Sequence, residues 1–140
     1  MLKIISMQQE NDFIQKEIQR LNLFLTKLIE QALKLPATET ERTIEEVESA
    51  LKEEFDFTLQ ELSQMDALTL EQNMKEWEEQ HLDKLVELIA IIVKNPKTKF
   101  DQKLAQKGIV ILEYIEKHSK MFSMKRMELK NILQKEISDS

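Results

Sequence analysis

The sequence predicts an all-α fold, a single domain over residues 1–140 built as an irregular bundle of five to six helices with a helical hairpin at the C-terminus. Three observations predict it. Apolar residues recur at spacings of three and four through most of the chain, the period of a helix face. One glycine and two prolines cannot supply the turns of an all-β chain. The β-branched run from Ile89 to Val93 has no convincing partner strand elsewhere in the sequence. The 140 residues, 41% hydrophobic and 33% charged, suffice for one core.

The first helix is predicted from about Asp12 to Leu35, with Asn11 or Asp12 as its N-cap and Pro36 as its stop. Its stripe of Ile14, Ile18, Leu21, Leu25, Leu28 and Ala32 follows steps of 4, 3, 4, 3 and 4. Phe13, Phe24, Ile29 and Leu33 widen it, so this helix faces apolar surroundings on more than one side. Thr38-x-x-Glu41 and Thr43-x-x-Glu46 are capping-box patterns for a second helix carrying Ile44, Val47, Leu51 and Phe55. Thr58-x-x-Glu61 caps a short helix ending near Gln64. One of Phe55 and Phe57 is expected in the core, the other over the short helix. Thr69 opens a long helix through Val93, whose C-terminal half turns apolar on most sides and so lies centrally. Asn95-Pro96 ends it. Thr98 caps the next helix, with Phe100, Leu104, Gly108, Ile111, Leu112 and Ile115 on its inner face. Glycine costs about 1 kcal/mol relative to alanine inside a helix, so Gly108 marks a close approach of a neighbour. The last helix starts at Ser123, with Phe122 and Met127 in staple positions.

Charge is segregated along the chain. Residues 1–38 hold five basic and four acidic side chains, residues 39–83 three and fifteen, and residues 84–140 twelve and seven. The blander consequence is that acidic and basic helices neutralise one another. The sharper one is a binding surface built from Lys94, Lys97, Lys99, Lys103 and Lys107 at one helix start and Lys117, Lys120, Lys125 and Arg126 at the next. In a hairpin these groups fall at opposite ends. Three arginines and a net charge of −6 speak against a specific nucleic-acid reader.

Several chemistries find no support. A chain with no cysteine has no thiolate metal site, disulfide or cysteine nucleophile. Glu78-x-x-His81 is half of a four-helix di-iron motif, but Ile115 stands where His118 would need its glutamate. The motif reads as a solvated helix face. Glu45-x-x-Glu48 resembles one half of a magnesium site, and Glu113-x-x-Glu116 is a poor second half. Ser119 and His118 are adjacent on a helix and do not face each other. No cofactor or metal is expected. The N-terminal apolar run is broken by Lys3, and no stretch reaches the roughly 20 apolar residues of a membrane span. The expected location is the cytoplasm.

Two stretches carry a resemblance. Asn11 to Leu21 (NDFIQKEIQRL) resembles the opening of small uncharacterised bacterial helical proteins. Ile111 to Ser123 (ILEYIEKHSKMFS) resembles their closing hairpin, which is similar to a tetratricopeptide pair. The resemblance covers the layout of the whole chain and implies no active site. Lys120 and Met124 stand where the second helix of such a pair usually has small residues.

The expected function is a non-enzymatic protein–protein interaction module that self-associates as a homo-oligomer. Ile4, Ile5, Met7, Phe13, Phe24 and Leu35 are surplus to one small core, and a dimer would bury them. The expected partner surface comprises Ile14, Ile18, Phe24 and Leu25, with Lys97, Lys103, Lys107, Lys120 and Arg126. A nucleic-acid-associated protein using the C-terminal lysines is the alternative.

Overall fold

The computed structural model describes residues 2–34, 40–95, 98, 100 and 102–138, with side chains from residue 12 in the first segment and 42 in the second. Among these residues there are seven helices and no strand: α1 (Leu2–Leu33), α2 (Thr40–Phe55), α3 (Leu59–Gln64), α4 (Ala67–Glu76), α5 (Glu79–Lys94), α6 (Gln102–His118) and α7 (Met124–Ser138). The all-α class holds. The expected cap at Thr38 lies outside the described residues.

Helix α5 is the hub, packing against α1, α6 and α7, while α2 lies on α1 and α3 on α6. Its faces explain the position. Leu82, Leu85, Val86, Leu88, Ile89, Ala90, Ile92 and Val93 are all buried, too wide an arc for one neighbour to cover. Helices α1 and α5 run in the same direction. The Ile18 carbonyl meets His81 in the first turn of α5, and Leu25 and Leu85 meet further along. Helix α6 returns antiparallel, and α7 again runs parallel to α5.

Gly108 sits where α5, α6 and α7 converge. A Cβ there would lie 2.8 Å from Leu133 Cδ1 and 3.3 Å from Ile89 Cγ2. The close approach expected from the sequence is present, and it comes from both neighbours.

Helix boundaries depart from the sequence reading in four places. Helix α1 begins at Leu2, so Asn11 and Asp12 are interior residues and the helix spans about 48 Å. The long helix expected over Thr69–Val93 is broken into α4 and α5. Trp77 and Glu78 both adopt extended backbone, and the Trp77 ring stacks 5.0 Å from Phe57. That break turns the indole inward, which no local signal announces. Helix α4 opens at Asp66, whose carboxylate accepts from the Thr69 amide at 2.7 Å, so Thr69 is the capped residue and not the cap. Thr98 closes α5 instead of opening α6: its hydroxyl donates to the carbonyls of Ile92 (2.6 Å) and Asn95 (2.9 Å).

Other local expectations hold. Thr58 and Glu61 form a reciprocal capping box on α3. The Ser123 hydroxyl accepts from the Arg126 amide at 3.3 Å. Phe57 is the buried member of its pair, but Phe55 does not cover the short helix as expected: it is half-buried between Phe24 and His81. Helix α2 ends without glycine because Asp56 takes the left-handed conformation (φ 68°), its amide donating to the Lys52 carbonyl at 3.0 Å.

Candidate functional site

The first described side chains of α1 lie in water. Among the described residues, the contacts of α1 with the bundle begin near Ile18 and Arg20, beside the start of α5 and the end of α2. Upstream, every residue from 12 to 16 is exposed. Phe13 is 70% and Ile14 51% exposed, although the stripe they continue is buried at Leu25, Leu28 and Ala32. The backbone of residues 2–16 continues as helix for about 22 Å. This segment is called the stub below. Ile4, Ile5 and Met7 lie on it outside the described side chains, and Leu35 lies outside the described residues. Phe24 is half-buried against Phe55 at 6.0 Å.

A second apolar surface lies at the same end of the bundle. The turn 119–123 and the start of α7 expose Met121 (78%), Phe122 (73%), Met124 and Met127. The staple positions of Phe122 and Met127 leave both side chains largely in water. Lys117 and Lys120 are exposed beside them. The turn is held from within. The Met121 amide donates to the Ser119 hydroxyl at 3.2 Å, and Arg126 Nη1 donates to the Met121 carbonyl at 3.0 Å.

Arg126 is buried, which removes it from the expected partner surface. Its guanidinium forks onto Asp83 on α5, Nε to Oδ1 at 2.7 Å and Nη2 to Oδ2 at 2.9 Å, and reaches Glu79 at 3.4 Å. The bonds to Asp83 hold its pKa above the usual arginine value, against the opposing effect of burial. Leu25 is 1% exposed and is likewise core. Ile18 is half-buried, and Ile14 is exposed.

The lysines do not converge. Lys97 lies outside the described residues. Lys103 and Lys107 stand at the start of α6, and Lys120 lies past its end. Lys107 is half-buried and faces Asp66, helping the Thr69 amide hold that carboxyl below its usual pKa. Basic and acidic segments do meet within the chain, through Arg20–Glu54, Arg126–Glu79 and Arg126–Asp83.

His81 is not on a solvated face. It is buried, its Nε2 lies 2.9 Å from the Ile18 carbonyl, and Phe55 meets its ring edge-on. That carbonyl needs a donor, which assigns the proton to Nε2. Glu78 precedes α5, so it is not a helical neighbour of His81 on one face. Among the described residues no three His, Asp or Glu side chains converge to hold a metal ion. Glu48 is spent on structure: its carboxylate accepts from the Leu59 and Gln60 amides at 2.6 and 3.1 Å, and burial raises its pKa despite those bonds.

Two clefts open beside the hub. One of about 270 Å³ is rimmed by Asn22, Asp83, Lys84, Glu87, Lys125 and Arg126, whose charges pair across it. Another of about 600 Å³ lies between Val93, Phe100, Lys103 and Glu136 at the far end of α5. Neither brings a nucleophile against a base. No described helix is long and apolar enough to cross a membrane.

The cluster of Met121, Met124 and Met127 around the last helix start is legible in the sequence as a flexible surface able to bind a partner helix. The sequence assigns Phe122 and Met127 to a staple instead, and the structure leaves them 73% and 47% exposed. Comparison of the chain with protein-family models, with curated proteins and with solved structures finds no match.

Proposed function

We propose that the chain is a non-enzymatic interaction module of the cytoplasm that self-associates through the stub of α1. The observation that carries this reading is the run of five exposed residues, Asp12 to Lys16, in the helix α1, with Phe13 and Ile14 in water. Helical turns exposed on every side are marginal in water, so a partner surface is a natural source of stability for them. The stripe of Ile14, Ile18, Leu21 and Leu25 supports the same reading, because one face serves the core at one end and the outside at the other. In this reading the α6–α7 hairpin acts as one tetratricopeptide-like unit that braces α5, with Ala105 and Gly108 as its small contact positions. The nucleic-acid alternative draws no support from lysines divided between the two ends of α6.

Sedimentation equilibrium at micromolar concentration tests the reading. A dimer or higher oligomer is expected, and Ile14→Glu should return it to a monomer that still unfolds cooperatively in urea and loses at most the helical signal of the stub. A wild-type monomer at that concentration overturns the proposal.

A further inference from the structure

We propose that the two-residue junction Trp77–Glu78 is a hinge through which two copies of this chain exchange their N-terminal halves, α4 and α5 fusing into one continuous helix in each copy. This route to a second copy does not use the stub, so it stands apart from the reading above.

The sequence across the junction is the first argument. Leu70, Met74, Trp77, His81, Leu85 and Leu88 follow steps of 4, 3, 4, 4 and 3, one unbroken helical stripe. No glycine or proline stands between residues 67 and 94. The chain holds the pattern of a helix that its folded form interrupts.

The junction itself is lightly held. Glu78 opens α5 without a side-chain cap, and the Trp77 amide reaches the Met74 carbonyl at 3.4 Å. The break leaves the amides of Glu78, Glu79 and Gln80 without a helical carbonyl one turn back, and fusion would supply one to each. Against fusion stands the Trp77 ring on Phe57 at 5.0 Å. Short connections between packed elements are where such exchange arises.

Topology names the partner. Helix α4 packs broadly on none of the other described helices, whereas α1 docks across the hinge on α5, and α3 on α6. Straightening the junction carries α1–α4 away from their own α5–α7. A second copy offers the same α1–α5 and α3–α6 contacts in return, so the two chains close on each other. It is the occupant for which each contact surface already exists.

Glu78→Pro separates the two forms. Glu78 has φ −70°, the value that proline fixes, and Trp77 before it is extended, as a residue preceding proline prefers. The compact fold therefore accepts this proline, and a continuous helix does not. Chains carrying Ile14→Glu, which disables the stub, are refolded from urea at high protein concentration and separated by size. A dimer is expected. Adding Glu78→Pro should lower its association constant by about 100-fold or more and leave a monomer that unfolds cooperatively. Hydrogen exchange on the isolated dimer should show the amides of Glu78, Glu79 and Gln80 protected relative to the monomer, a readout that needs no variant at the hinge. Monomer alone after refolding, a dimer indifferent to Glu78→Pro, or a dimer with those amides unprotected would overturn the hinge and leave the stub untouched. A wild-type monomer in sedimentation, with the exchanged dimer still formed on refolding, would overturn the stub and support the hinge.

Discussion

Single residues show how polar groups and tight backbone are accommodated here. Asp56 ends α2 with a positive φ that glycine adopts freely. Asp56→Gly is expected to raise stability by about 0.5–1 kcal/mol, read from the urea midpoint at unchanged slope. Gly108 faces two fully buried side chains, Leu133 and Ile89. Gly108→Val should cost about 1–3 kcal/mol in the same measurement, since the added methyls overpack that junction. Arg126→Ala removes the fork onto Asp83 and the donor for the Met121 carbonyl together. A loss of about 2–3 kcal/mol is expected, because Asp83 keeps its charge without its partner. Glu48 has a sign that differs from most carboxylates. Burial raises its folded pKa above the unfolded value, so the folded chain binds the proton more readily. The stability of the wild type relative to Glu48→Gln should therefore improve as pH falls through the carboxylate range, as denaturation of both proteins at a series of pH values would show.

Among elements, what was legible in the sequence follows the range of the interaction responsible. The α3 capping box needs only Thr58 and Glu61, three residues apart, and it is present. The central burial of α5 was legible because its apolar arc is wide. The break between α4 and α5 was not, because the contact that accompanies it, Trp77 on Phe57, joins residues twenty apart. Asn11-Asp12 looked like a cap because nothing nearby contradicts it. The burial of His81 and Arg126 depends on Ile18 and Asp83, 63 and 43 residues away. The same reasoning misplaced part of the candidate surface: Leu25 joined the core, while the corner at Met121 stayed outside. Helix α1 itself divides into a docked part and an exposed part, which hydrogen exchange can separate. Amides of residues 12–16 are expected to gain protection as protein concentration rises, while those of residues 25–32 stay constant.

At the scale of the whole molecule, the acidic middle and the basic C-terminal third are stitched together by ion pairs through α5. Exposed pairs elsewhere, such as Lys125–Glu87 within the C-terminal part, add little each. The buried fork of Arg126 fixes α7 to the hub. The hub has a temporal consequence. Its main partner at one face is α1, made before the other six described helices, yet α5 is complete only at residue 94. At bacterial and eukaryotic synthesis rates about 60 intervening residues take roughly 3–12 s. For that interval the stripe from Ile18 to Ala32 lacks α5 and has only α2, complete at residue 55, to pack on in its own chain. Neighbouring ribosomes on one message then hold several such stripes close together, so pairing between copies can begin before any copy is finished.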